Sequence, residues 1–578
     1  MKTLTDNTWQ RAFWPLAALC AFTLFLFLGE TLFNTRGEPR EAVVALSMLQ
    51  DGNWVLPINN GVDMAYKPPF FHWLVALCSL PVGHVTEYTA RMPSAIALTV
   101  MVLVGYRFFS RRQGTLVAWV MALITLTSFE VHRAALTCRV DMVLTCMMVL
   151  SLYQLYEWLE RGMKGLPLCA ILCLSGAFLT KGPVGAALPC LVAAAFAWLK
   201  GRGFWPVLWR MAVIGLLSCV LPAVWYVAAY NEGGQRFFDL VYEENVLRLL
   251  GKMSYESHIN PWPYNVMTLV AGFVPYTLLL LFSLFVLNWK RIPPLCHPLR
   301  NQWGECWRRF KHHLRKMDDA RLYALLSAVI IFVFYCIPKS KRSVYLLPVY
   351  PFIAYYIAEY LLWLRQHHQR VVNAFGWVLV TLCALISLVF VAIRLGYVPD
   401  AWVAHGKHGV QNVAMLTALR TTPLGFVQYM AYWLPVLAIV NFVRHRRRQL
   451  LWPVFCLIIS LFMALDGVYQ PLLLNAKSDR PLADYITQLQ PTGRIYSFRT
   501  DVTPGNPLHP FTINYYLGDR VAPFEAFQPQ SGLLIVGNDE VNDFCQRHPN
   551  YHVTLVRDFQ HQSCDDHKML KLYRFDKR

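Results

Sequence analysis

Along the chain, apolar residues gather in runs close to the ~20 residues a helix needs to cross a hydrocarbon core, and the charges fall mostly between them. The runs lie near 12–32, 89–107, 115–129, 141–157, 165–180, 184–199, 206–229, 265–288, 322–337, 344–364, 371–394, 425–443 and 451–468. This pattern predicts an all-α polytopic membrane protein with about 13 transmembrane helices, whose odd count puts the termini on opposite sides. The first run has no small-residue cleavage site and reads as a retained helix. After 468 the pattern changes. Short apolar stretches at Arg494–Phe498, Leu533–Val536, Val553–Val556 and Met569–Phe575 read as strands. Helical stretches near 480–490, 511–517 and 538–547 separate them, as in a small α/β layer. The chain thus divides into a membrane module, 1–468, and a soluble domain, 469–578.

Charge orients the spans. With the N-terminus inside, the cytoplasmic loops hold Arg107/Arg111/Arg112, Arg161/Lys164, Lys200/Arg202/Arg210, Arg365/Arg370 and Arg444/Arg446/Arg447/Arg448. The segment 290–321 adds nine Lys or Arg against three acids. That is the positive-inside pattern repeated loop after loop. The N-terminus is expected in the cytoplasm and the C-terminal domain outside it. A long first loop, 33–88, and the loops 230–264 and 395–424 share the outer face.

Composition narrows the class. At 56% apolar and 15% charged, against roughly 25% charged in soluble domains, the chain is neither a cytosolic enzyme nor disordered. The net charge of +19 reflects basic cytoplasmic loops, so no nucleic acid is expected as a partner. Most of the 15 cysteines sit inside apolar runs as small hydrophobic residues. Cys545 and Cys564 are alone in the tail and could pair in an oxidising compartment. No internal repeat is visible, and polar residues concentrate at one face. That suits surface chemistry better than the alternating access of an inverted-repeat transporter.

Several outer residues stand against the charge bias. The first loop reads Gly37-Glu38-Pro39-Arg40-Glu41-Ala42 and later Tyr66-Lys67-Pro68-Pro69-Phe70-Phe71-His72-Trp73. The apolar spacing of 38–50 predicts an amphipathic helix lying in the interface, with Glu38 and Arg40 at its mouth. Arg139 and Asp141 start one span, Lys181 sits between two others, and Lys339, Lys341 and Arg342 precede a further one. Singly these would be snorkelling or capping side chains. Gathered on the outer face they suit an anionic ligand, since Arg and Lys hold phosphate.

The ordered set GEPREA, DGNWVLP, YKPPFFHWL, RVDM, LTKGPVG, SHINPWPY and SKRSVYLLPVYP resembles glycosyltransferase family 39. The likeness runs from the first span to about residue 360, and is strongest to the bacterial branch of lipid A aminoarabinose transferases and protein mannosyltransferases. It implies the GT-C architecture and transfer of a sugar from a polyprenyl-phosphate carrier at the outer face of the plasma (inner) membrane. It also implies roles. Members usually open the first loop with two acids; here Glu38 matches the second, Arg40 matches the Arg, and Gly37 replaces the first. Glu38 is therefore the first candidate catalytic carboxylate and Asp141 the second. Arg40, Lys67, Lys181, Lys341 and Arg342 are the candidates for the donor phosphate; Arg139, His258 and Tyr345 are candidate substrate contacts. Tyr66 stands where a metal-ligating carboxylate would precede the Lys-Pro, so no cofactor is expected and a divalent metal is disfavoured. The expected acceptor is lipid A or another envelope glycan or lipid. A protein acceptor is the alternative within the enzymes, and a lipid-linked glycan flippase the alternative outside them.

Overall fold

The computed structural model describes residues 8–247, 259–286, 311–312, 314–406, 408–498 and 510–578. Among them, eight helices are long and apolar enough to cross a membrane, or up to ten if each of two bent pairs is a single span. Every predicted run lies mainly on helix among the described residues, the first one only as far as Phe25. Two of them, Leu168–Lys181 and Val184–Leu199, are shorter apolar helices that this count leaves out. The basic segment expected at 290–321 lies largely outside the described residues.

The bent pairs have local causes. Thr115–Leu126 turns by 66° into Phe129–Ala135. At the break, the Thr127 and Ser128 hydroxyls donate to the carbonyls of Leu123 and Ile124 (2.7 and 2.6 Å), satisfying groups that the ended helix would leave open. Tyr264–Gly272 turns by 103° into Tyr276–Leu284, across Phe273-Val274-Pro275, where proline cannot continue the amide ladder. Both bends bring polar backbone and short polar segments together at one end of the bundle.

The tail forms a five-stranded mixed sheet in the order Val521–Pro523, Ile495–Ser497, Ser531–Gly537, Met569–Lys577, Tyr551–Gln562. The first three strands are parallel and the last two antiparallel to their neighbours. All four expected strands are present. Val521–Pro523, at three residues, escapes the sequence reading.

This domain grips the first loop. The Tyr516 hydroxyl accepts from the Phe33 N–H (3.0 Å) and donates to Glu87 Oε1 (2.7 Å). The Tyr515 hydroxyl donates to the Val85 carbonyl (2.7 Å). Asp519 accepts from the Ser47 hydroxyl (2.9 Å) and the Asn60 N–H (2.8 Å). The first-loop helix, Gly37–Asp51, is therefore buried along most of its length. It packs against the Phe70–Ser79 helix on one side and Phe511–Tyr516 on the other. The expectation of a helix lying in the membrane interface is corrected: a protein surface, not lipid, covers its second face.

Inside the tail, the Asp479 carboxylate accepts from the Ser563 hydroxyl (2.9 Å) and the Cys564 N–H (3.2 Å), with His561 Nε2 at 2.9 Å. Cys564 and Cys545 are both free thiols, one buried and one exposed. Burial and the neighbouring Asp479 push Asp565 up to about 7, although it accepts from the Thr512 N–H and hydroxyl (2.9 and 2.7 Å). Its native-state pKa lies above the ordinary carboxylate value, so between pH 4 and 7 the folded domain binds more protons than the unfolded chain. Stability is then full below that window and is lost as pH rises through it. The domain's unfolding midpoint should fall between pH 4 and 7, and Asp565→Asn should flatten that slope. An unchanged slope in the variant would move its source to another group.

Candidate functional site

The polar end of the bundle holds a cavity of about 300 Å³. Its walls come from four places distant in sequence. Thr35 and Glu38 belong to the first loop, and Arg133 to Asp141 span a helix junction. Asn260 and Tyr264 come next, followed by Lys341 to Val344.

Glu38 stands in the first turn of its helix, where a carboxylate is favoured by the positive end of the dipole. Both of its oxygens are engaged. Arg91 donates to them from Nε (2.8 Å) and Nη2 (3.0 Å), and the Cys138 N–H donates to Oε1 (2.8 Å). Arg91 is 3% exposed and also donates to the carbonyls of Leu28 and Thr31 (3.0 and 2.6 Å). This node joins the first loop to two membrane helices. Both Glu38 oxygens are thus occupied by Arg91 and the Cys138 N–H, and its expected catalytic role has to be read from that engaged state.

Asp141 begins the Val140–Glu160 helix and is buried. It forms an ion pair with Lys181, and Arg139 Nε lies 4.0 Å from its other oxygen. The Lys181 ammonium also sits 4.4 Å from the centre of the Tyr345 ring, a cation–π contact. Lys181 and Tyr345, expected separately at the donor phosphate and the substrate, meet here beside the cavity without lining it. Lys341 is buried and donates to the Asn260 carbonyl (3.2 Å), while the Asn260 side chain donates back to the Lys341 carbonyl (3.1 Å). The paired strand-like segments around Ile259 and Ser340 fix this wall.

Arg139 and Arg342 differ from these. Neither guanidinium donates a hydrogen bond to a described residue, and Arg342 has no ion pair among them. Burial and the neighbouring Arg139 hold Arg342 below the ordinary guanidinium value, and both arginines line the cavity.

Arg40 and Lys67 do not line the cavity. They belong to an adjoining cluster around Glu41, a residue that the sequence reading left without a role. Arg40 Nη2 donates to Glu41 Oε1 (2.8 Å), and His72 Nε2 lies 3.0 Å from Oε2. Burial alone would raise the Glu41 carboxyl, but Arg40, Lys67 and His72 hold it well below the usual carboxylate range. Arg91, Glu41, His72 and Arg133 were missed. For Arg91 a signal existed, since an arginine inside an apolar run must find a partner. His258 lies outside the described residues. Among the described residues no three His, Cys, Asp or Glu side chains cluster as a metal site.

Residues 66–226 match the family of dolichyl-phosphate-mannose-protein mannosyltransferases. An uncharacterized protein of Aquifex aeolicus is 27% identical over 376 residues, covering 64% of this chain and 68% of its own. The undecaprenyl phosphate-alpha-4-amino-4-deoxy-L-arabinose arabinosyl transferase of Aeromonas hydrophila is 25% identical over 423 residues, 72% of each chain. In three dimensions the chain resembles ArnT from Cupriavidus metallidurans, solved bound to undecaprenyl phosphate. The TM-score is 0.68 at 19% identity, and 99% of this chain and 98% of that one are covered. The fold is therefore of the ArnT kind from end to end.

Proposed function

We propose that this chain, a multi-pass membrane glycosyltransferase of the family-39, GT-C type, moves a sugar from a polyprenyl-phosphate carrier to a lipid A-type glycolipid. The reaction takes place at the outer face of the inner membrane, with the N-terminus in the cytoplasm and the tail domain outside it. The observation that carries this reading is the pair of Arg139 and Arg342 guanidiniums, which donate no hydrogen bond to a described residue, Arg139 keeping only its 4.0 Å ion pair with Asp141, in a cavity whose carboxylates are already matched to cations. Two adjacent cations in that setting call for an anion. A phosphate on the end of a lipid chain suits a cavity at the mouth of a helix bundle.

The chemistry follows from charge. As the bond between the anomeric carbon and the phosphate oxygen breaks, its electron pair returns to the phosphate and the sugar becomes oxocarbenium-like. Arg139 and Arg342, with Lys341 in the same wall, neutralise the phosphate as its charge grows, so they act most strongly in the transition state. The acceptor oxygen then bonds to the anomeric carbon. Because Glu38 and Asp141 are both engaged, a nucleophile that arrives already ionised, such as a phosphate of the acceptor, needs no base. A serine or threonine hydroxyl does need one. The family match over residues 66–226 keeps a protein acceptor as the second reading.

The test is reconstitution. Proteoliposomes given undecaprenyl-phosphate aminoarabinose and lipid A should yield sugar-modified lipid A by mass spectrometry. Arg342→Ala should raise the donor KM at least tenfold, as loss of a charge-assisted contact of ~1.5–3 kcal/mol requires. Glycosylated peptide without modified lipid would favour the second reading. No product with either acceptor would end the first and second alike.

A further inference from the structure

We infer that Gly37 is a positioning residue for the phosphate site: its missing side chain is the room in which the Arg139 guanidinium lies. A methyl group built on Gly37 would overlap Arg139 Nη1 and would come within 3.4 Å of Cζ. Gly37 keeps a helical backbone at the start of the Gly37–Asp51 helix, so no left-handed geometry calls for glycine here. Other first-turn helical residues carry side chains freely. The requirement is therefore space, and the occupant of that space is a cation in the cavity wall.

The surroundings explain how Arg139 is aimed. Its backbone is extended (φ −142°, ψ 142°) at the N-cap of the Val140–Glu160 helix. The Cys138 N–H before it is tied to Glu38, and Asp141 after it is tied to Lys181. With both neighbours anchored, the side chain has two directions open. One lies toward the Asp141 carboxylate, 4.0 Å from Nε, and the other toward the gap over Gly37. The gap holds the outer nitrogen in the cavity beside Arg342. Filling it drives the guanidinium away from the cavity and further onto Asp141, whose ion pair with Nε is at 4.0 Å in the present arrangement. A carboxylate at position 37 would do more, since it would both fill the gap and neutralise the cation. Glycine at position 37 thus adds a cation to the phosphate site.

This inference rests on the reading of the cavity as a lipid-phosphate site. The clash falls on the far end of a flexible side chain, so Gly37→Ala should fold with an unchanged unfolding midpoint. The experiment measures binding of undecaprenyl phosphate to the protein in nanodiscs, with donor KM and kcat measured separately. Gly37→Ala should weaken binding and raise KM by roughly tenfold, and Gly37→Asp by more. Arg139→Gln should match Gly37→Ala, and adding Gly37→Ala to Arg139→Gln should change nothing further, because both act through one guanidinium. Arg139→Lys should recover part of the loss. Equal binding by wild type and Gly37→Ala, or losses that multiply in the double variant, would overturn the inference and leave the function standing. A wild type that fails to bind undecaprenyl phosphate would remove both.

Discussion

Glu38→Gln should destabilise the protein by about 3–5 kcal/mol, the cost of leaving a buried charge without its partner. It should change the turnover of the surviving folded fraction only a few-fold. The reason is Arg91, 3% exposed and held by both Glu38 oxygens at 2.8 and 3.0 Å. Gln can accept at one position but presents an amide N–H to a guanidinium at the other, and it removes the compensating charge. Tryptophan fluorescence during heating in detergent reads the loss directly. Replacing both partners, as in Glu38→Leu with Arg91→Leu, should recover much of it, because the penalty arises from the unpaired ion and not from the missing bond alone. The opposite result is equally readable. A variant that melts with the wild type but turns over 10²–10⁴-fold more slowly would restore Glu38 as a general base.

Lys181→Ala should act twice. It strands the buried Asp141, at a cost of about 3 kcal/mol, the low end for a broken buried pair because the lysine side chain is itself 31% exposed. It also frees that carboxylate to draw in Arg139, now 4.0 Å away, and so should raise the donor KM although Lys181 does not line the cavity. Adding Asp141→Asn removes the lure, so the double variant should regain both midpoint and KM. If the double variant is as defective in KM as Lys181→Ala, Lys181 itself meets the donor.

What the sequence made legible follows from what is local. Apolar runs of membrane length announced the helices, and alternating or β-rich stretches such as Leu533–Val536 announced strands, because both are properties of neighbouring residues. The gathering of Arg139, Asp141, Lys341 and Arg342 at one end of the bundle was also legible, since topology alone sends those loops to one face. Pairing was not. Glu38 and Arg91 are 53 residues apart, and Glu38 and Cys138 are 100 apart. Which helices stand side by side decides such contacts, and no periodicity encodes it. The same blindness hid Glu41 and His72, and it made the Gly37–Asp51 helix look like a surface element when a domain more than 400 residues downstream covers it.

That last arrangement sets a clock on the enzyme. Phe33 is held by Tyr516, 483 positions later, and Ser47 by Asp519, 472 positions later. At ~5–20 residues per second, the ribosome reaches the clamping residues roughly 25–100 seconds after it has made the first loop. During that interval the helix bearing Glu38 has one face bare, and the newborn chain must hold it without the partner that covers it in the finished protein.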